Sequence, residues 1–371
     1  MTPFRSLRLM ADDMTGALDS AAGLVGMFGA LDVGTSLGEG TISVFDTGTR
    51  ELAADAAARR VAGSAAHLAP AAGRLCFFKV DSLLRGHAAA ELAALLSAIA
   101  FERVVIAPAM PFQGRVTRGG RQHVRDGAQW LPTGEDLAAR LGALGCPVRL
   151  VAIGAALPPG IVLCDAETDA DLDVIVEAGL RLAGSTLWVG AGGLAAALAR
   201  SGGPSHGVAP ALSGPVLGLV GSHHPAMQAQ LAHVGHVALT IEDGGTATAR
   251  KVQDGLARNG AAFVQVALPQ GSGRAEAQAR IAAVFADLVA RLPRPGLLFA
   301  SGGETLRALL PPLGADGLSV VGEMEPGAPV SRLRGGRWAE TMVLSKSGAF
   351  GSPDFLERLM ITLNPLKATR A

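Results

Sequence analysis

The chain has 371 residues, 49% of them apolar, which is long enough for two domains and rich enough for two cores. Its 32 basic and 32 acidic residues cancel, which excludes the one-sided positive charge of a nucleic-acid binder. Cys76, Cys146 and Cys164 show no CxxC spacing and exclude a disulfide framework. With no signal segment and no long uncharged apolar run, a cytoplasmic protein without a membrane partner is expected.

Short β-type apolar runs alternate with helical patterns along the whole chain. In the first half, strands are expected at "LRLM", "TISVF", "RLCFFKV", "RVVIAPA", "VRLVAI", "IVLC" and "STLWVG". Helices are expected near 15–28, 51–68, 88–100, 135–144, 170–182 and 192–200. "MPFQGRVTRGGRQHV", after the fourth strand, reads as a long loop bearing Gly and Arg. The segment 201–215, rich in Gly, Ser and Pro, reads as a linker. Beyond it, strands are expected at "PVLGLVG", "HVALT", "AFVQVAL", "GLLFA", "LSVVGE" and "TMVLSK", with helices near 225–234, 245–259, 273–291 and 304–311. The alternation predicts an α/β chain of two domains, 1–205 and 213–371. Each is a mostly parallel sheet flanked by helices, with an interdomain cleft as the natural ligand site.

Ligands of such sheets bind at the carboxyl ends of the strands, so the polar residues there are the candidates. In the first half these are Asp12, Asp13 and Thr15; Asp46, Thr47, Thr49 and Arg50; and Lys79, Asp81, Ser82 and Arg85. An Asp or Ser after a strand is an ordinary helix cap, but caps do not require the accompanying arginines. Arg grips carboxylates bidentately, and Asp accepts from hydroxyls and serves as a general base, so the set suits a small hydroxylated acid. The haloacid-dehalogenase pattern Asp-x-Asp-x-Thr is not met by Asp12-Asp13-Met14-Thr15. "GAGGLA", 190–195, approaches the dinucleotide fingerprint but lacks the acidic residue about 20 positions on.

The second half carries Gly-rich turns instead: Gly221-Ser222, Ser301-Gly302-Gly303-Glu304-Thr305, Gly322-Glu323 with Glu325 and Gly327, and Lys346-Ser347-Gly348. Such turns expose backbone N–H groups at helix N-termini, which suits phosphate. The Gly-Lys pair of a P-loop is absent, so a nucleotide would be held by turns, hydroxyls and Lys346. His223 and His224 have no partners spaced for a metal site and read as local structure.

Taken in order, "ADDMTGALDS", "DTGTR", "KVDSLLRGH", "APAMPFQGRVTRGG", "GSHHPAMQAQL", "SGGETLRALL", "GEMEPGAPVSRLRGG" and "KSGAFG" resemble the four-carbon acid sugar kinase family over essentially the whole length. The resemblance implies an N-terminal sugar-acid domain, a C-terminal ATP domain, and transfer of the γ-phosphoryl group to the terminal hydroxyl of a threonate, erythronate or 3-oxo-tetronate. It places Asp12, Arg50, Asp81, Ser82 and Arg85 toward the acid, beside Asp13 and Lys79, with Asp12 as proton acceptor. It places Ser222, Gly302, Gly303, Glu304, Thr305 and Gly348 toward ATP, with Mg²⁺ held mainly by the phosphates and water and no protein metal site. The chain departs from the family pattern at Leu18, where Asn is expected, at Val80 and Leu83, where Thr is expected, and at His87, where Asn is expected. A nicotinamide-dependent dehydrogenase using "GAGGLA" and a non-catalytic sugar-acid sensor remain as alternatives. Oligomeric state, including a homo-oligomer, stays open, with Trp338 and "RLRGGRW" as interface or core.

Overall fold

The first strand, β1 (Ser6–Ala11), buries Leu7, Leu9, Met10 and Ala11 completely, as a central parallel strand covered on both faces requires. The computed structural model describes residues 4–38, 40–203 and 211–363. The chain divides into two compact units, Met1–Gly207 and Val208–Ala371; the middle of the expected linker, 204–210, lies outside the described residues.

In the first unit β1 leads into α1 (Met14–Phe28), β2 (Leu31–Gly34), β3 (Ile42–Asp46), α2 (Ala54–Gly63), β4 (Arg74–Lys79), α3 (Ala88–Ala98) and β5 (Arg103–Ala107). A meander follows, β6 (Arg115–Arg118), β7 (Arg121–Asp126) and β8 (Gln129–Pro132). The unit closes with α4 (Leu137–Ala143), β9 (Val148–Val151), β10 (Gly160–Cys164), α5 (Asp169–Leu180), β11 (Thr186–Gly190) and α6 (Gly192–Ser201). Eight strands pair in parallel in the order β2-β3-β1-β4-β11-β5-β10-β9. Val61, Leu92, Leu95, Leu137 and Leu141 from α2, α3 and α4 pack with Met10, Phe45 and Phe78 on one face. The helices α1, α5 and α6 pack together as the other layer, as right-handed crossovers dictate. From β1 the chain passes to β2, returns to β3, and then crosses to β4 on the far side of β1. The winding therefore reverses between β1 and β4, which is where a doubly wound sheet opens a crevice.

The second unit contains β12 (Val216–Val220), α7 (Pro225–His233), β13 (Ala238–Ile241), α8 (Thr246–Asn259), β14 (Ala261–Val266), α9 (Arg274–Arg291), β15 (Leu297–Ser301) and α10 (Gly303–Leu313). It continues with β16 (Gly317–Glu323), β17 (Pro329–Arg334), β18 (Met342–Lys346) and α11 (Phe355–Leu363). The order β13-β14-β12-β15-β18 is parallel, and β17 and β16 extend it antiparallel. Here the winding reverses between β12 and β15. Trp338 is buried among the described residues of this unit, a core side chain.

The strand–helix alternation is as expected, with five differences. The segment expected as a loop after β5 is the antiparallel sheet β6-β7-β8. Its Arg, Gln and His side chains carry no apolar alternation, but Gly119 and Gly120, both at positive φ, form the two-residue turn that sets Arg118 opposite Arg121. Short β2 and Pro-led, polar β17 were not expected, nor was α11. The helix expected from 51 starts at Ala54, and its end, Ala65–Leu68, is a separate 3₁₀ turn.

Candidate active site

At the β1–β4 crevice the chain sets four elements against one another. Asp13 caps α1, its Oδ1 accepting from Gly16 N at 2.9 Å, which fixes its carboxylate beside that of Asp12. The turn after β3 folds back through Gly48, at φ 61, and the N–H groups of Thr49 and Arg50 donate to the Asp12 carbonyl at 3.0 and 3.2 Å. Arg50, only 10% exposed, then grips Asp12 with both edges: Nε to Oδ2 at 2.7 Å and Nη2 to Oδ1 at 2.8 Å. Its Nη1 reaches Asp13 Oδ2 at 2.8 Å and Asp81 Oδ1 at 3.4 Å. Lys79, the last residue of β4 and the register partner of Ala11, lies under both aspartates, 3.3 Å from Asp12 Oδ1 and 3.4 Å from Asp13 Oδ1. A Cβ on Gly16 would overlap the Lys79 ammonium, so glycine is the residue that lets the cation in.

Asp81 starts the turn after β4. Its Oδ2 accepts from the N–H groups of Leu83 and Arg85, and the Arg85 guanidinium closes on both of its oxygens at 2.9 and 2.7 Å. Leu84 in this turn stands at φ 54, a left-handed conformation uncommon for leucine. Gln122 of β7 donates to the Ser82 carbonyl at 2.7 Å, so the unexpected meander braces this turn. Ser82 is itself buried. Burial pushes Asp13 and Asp81 toward their neutral forms. For Asp13, Arg50 and Lys79 outweigh that push; for Asp81 the Arg85 hydrogen bond does so first, then Arg50 and Lys79. Both stay ionised below the usual carboxylate range, Asp81 far below it. Burial opposes the charge of Lys79 and Arg50 as well, and the aspartates hold both above their ordinary values.

Thus Asp12, Asp13, Arg50, Lys79, Asp81, Ser82 and Arg85, expected from strand ends, come together. Two further residues belong with them. Arg115, 8% exposed, is within electrostatic reach of Asp81 and Arg85, and makes four cations against three aspartates. Glu91, a lone acid in the apolar helix α3, is buried behind Asp12 and Thr49. Arg85 is the outward cation of the network, 54% exposed. Among the described residues no group of three His, Cys, Asp or Glu is placed to hold a metal ion.

At the β12–β15 crevice the materials are neutral. Register aligns Val220 with Ser301 and Ser301 with Lys346, which brings the three following turns together. Gly221 N donates to Ser301 O and Gly302 N to Lys346 O, each at 3.1 Å. A Cβ on Gly348 would overlap the Ser222 side chain, and one on Gly221 would overlap the Thr305 hydroxyl. Gly302, at φ 105, enters α10 without a side-chain cap, leaving the N-terminal N–H groups of Gly303, Glu304 and Thr305 in the helix's first turn. Among the described residues the buried Ser301 hydroxyl has no hydrogen-bond partner. These donors fit a phosphate chain. Lys346 does not present its charge to that turn: its Nζ donates to the carbonyls of Ser347 and Phe350, and burial pulls it down to about 8. His224 caps α7, its Nδ1 accepting from Ala226 N at 3.2 Å.

"GAGGLA" serves packing. A Cβ on Gly190 or Gly193 would strike the carbonyls of Ala107 or Ala109, and one on Gly192 would strike the Asp19 carboxylate. An acid against the first turn of α6 stands where a dinucleotide phosphate would have to lie.

Two family models match the chain. Residues 7–141 match the family model of a sugar-binding N-terminal domain, and 217–356 that of a nucleotide-binding C-terminal domain. A D-threonate kinase of Cupriavidus necator is 34% identical over 93% of this chain and 94% of its own length. The chain belongs to the four-carbon acid sugar kinase family. Within that family, a D-threonate kinase of Bordetella bronchiseptica is 32% identical, covering 98% of both chains. A D-erythronate kinase of Heliobacterium modesticaldum is 27% identical over 83% of this chain and 84% of its own. A crystal structure from Salmonella typhimurium superposes with a TM-score of 0.71 at 25% identity, covering 95% of this chain and 98% of that one. No described helix of this sugar-acid kinase is long and apolar enough to cross a membrane.

Proposed function

We propose that this kinase transfers the γ-phosphoryl group of ATP to the terminal, 4-hydroxyl of a four-carbon sugar acid such as D-threonate, D-erythronate or a 3-oxo-tetronate. The observation that carries the reading is the Arg50 fork on Asp12 at the β1–β4 crevice, inside a cluster with one positive charge over. A surplus of one cation suits one carboxylate, and the aspartates suit the hydroxyls that follow it.

Arg50 is committed to three aspartates, so carboxylate anchoring falls to half-exposed Arg85, with Arg115 behind it. Arg50 and Lys79 fix Asp12, which accepts the proton of the attacking hydroxyl as its oxygen bonds to the γ-phosphorus and ADP departs with the electrons of the broken P–O bond. Asp13 and Asp81 keep the two cations in place. The turns carrying Ser222, Gly302, Gly303, Glu304, Thr305 and Gly348 would hold the nucleotide phosphates, and Mg²⁺ arriving with ATP would supply charge neutralisation there.

ADP release measured over threonates, erythronates and their 3-oxo forms, with the product's phosphate position read by phosphorus NMR, tests the reading. ATP-dependent formation of a 4-phosphate from one of these acids is expected. Binding without turnover of any acid would favour the sensor, and titratable NADH binding would favour the dehydrogenase.

A further inference from the structure

Between β18 and α11 the chain turns through residues 347–352, and two buried side chains reach that turn from behind. Gln230 of α7 is fully buried, and its Nε2 donates to the carbonyls of Phe350, Gly351 and Ser352 at 3.0, 3.1 and 3.0 Å. Lys346, 1% exposed, donates from Nζ to the carbonyls of Phe350 and Ser347 at 2.9 and 3.2 Å, and its ammonium lies 5.4 Å from the centre of the Phe355 ring. Four carbonyls of one short turn thus point at two buried donors, and the reaction as written uses neither side chain. The amide's orientation follows from its partners, since carbonyls only accept. Its Oε1 is buried with no partner among the described residues, so Gln230 forgoes one bond to keep its donors on the turn. Gly351, at φ 85, lies where a Cβ would come 3.1 Å from that Nε2.

We propose that Gln230 and Lys346 are positioning residues for the nucleotide phosphates: they hold the carbonyls of the 347–352 turn inward and so aim the N–H groups of Gly348, Gly351 and Ser352 outward as an anion nest. The proposal rests on reading the Gly-rich turns as the nucleotide site. The link is peptide geometry. In a trans peptide the C=O and the N–H that follows it point in opposite directions, and the peptides of this turn are trans. The Ser347 carbonyl faces Lys346, so the Gly348 N–H faces away from it. Gly348 lies against Ser222, and a Cβ there would also come 3.5 Å from Ser301 Oγ, which puts this peptide at the β12–β15 crevice. The carbonyls of Phe350 and Gly351 face inward, so the N–H groups of Gly351 and Ser352 face out. The Ser352 carbonyl is followed by Pro353, which has no N–H to aim.

Among the described residues none of these three N–H groups meets an acceptor. Gly351 and Ser352 are exposed. Backbone N–H groups converging from one turn bind anions, whereas the same turn with its carbonyls outward would repel them. The two buried donors therefore decide which sign the turn presents. At the Ser352 end Arg358 covers the nearby acids: it donates to Ser352 Oγ at 3.1 Å and pairs with Glu325 and Asp354. Lys346 acts on phosphate through the turn rather than by touching it, which explains why its charge is spent on carbonyls.

The test begins with backbone amide NMR of the full wild-type chain, titrated with ATP and with inorganic tripolyphosphate. The Gly348, Gly351 and Ser352 amides should shift with both. Calorimetry then compares wild type with Gln230→Met and Lys346→Met, which keep the volume and remove the donors. Each variant should bind ATP and tripolyphosphate about tenfold to a hundredfold more weakly. Binding of adenosine, which has no phosphate, and of D-threonate should not change; a merely structural role would weaken these as well. ATP bound by both variants as tightly as by wild type overturns the proposal. So does ATP that binds wild type without moving the three amides, a result that stands even where a variant fails to fold. Tripolyphosphate that moves the amides of a chain that binds no ATP would keep the nest and remove the nucleotide reading. Binding of neither would remove both.

Discussion

The β1–β4 crevice and the β12–β15 crevice occupy the same place in two doubly wound sheets and are built from opposite materials. The first gathers four cations and three aspartates, nearly all buried, with every aspartate paired to Arg50 and to a second cation, Lys79 or Arg85. The second gathers glycines and hydroxyls at a helix N-terminus, and turns its one buried ammonium, Lys346, onto backbone carbonyls. A small acid has few atoms to be recognised by, so its site must carry fixed charge. A nucleotide brings a long phosphate chain and its own cation, so backbone N–H groups suffice. The charged crevice is consequently the fragile one, because each ion left alone in it is a buried charge.

That contrast can be broken most forcefully at Arg50. Arg50→Ala removes the one cation that Asp12, Asp13 and Asp81 share, leaving Lys79 and Arg85 to hold three buried carboxylates, and should cost about 3–5 kcal/mol of stability in denaturant unfolding. Stability unchanged from wild type would mean that the cluster is not held by its ions. Arg85→Ala removes the outward cation alone. The acid's KM should rise about tenfold to a hundredfold in steady-state assays, with kcat little changed; a pure kcat defect would argue against carboxylate anchoring. In the neutral crevice, Gly348→Ala forces Ser222 aside and should raise the KM of ATP about tenfold while leaving the acid's KM alone. The smallest effect is with pH. Asp13 and Asp81 titrate lower in the fold than in the unfolded chain, so the fold binds fewer protons there. Their stabilisation is present above the ordinary carboxylate range and is lost as pH falls below about 4, which thermal melts across acid pH will show.

Much of this was legible from the strand ends. Asp12, Arg50 and Asp81 follow runs that could only be buried parallel strands, and β3, β1 and β4 are neighbours in the sheet. Spacing could not show that Arg50 faces inward onto Asp12 while Arg85 faces out, because that depends on how the turns fold back. The meander was hidden because hairpin pairing, not apolar alternation, makes its strands; only Gly119-Gly120 signalled it. Glu91 was hidden by the apolar helix around it. A lone acid in "AAAELAALLSA" was the available signal.

The claim that the charged crevice performs the acceptor chemistry is tested most directly by D-threonate-dependent ADP release in wild type and Asp12→Asn, with ATP binding measured on the same samples. Loss of turnover by about a thousandfold with ATP binding intact is the predicted result. An Asp12→Asn enzyme that turns over like wild type would contradict it.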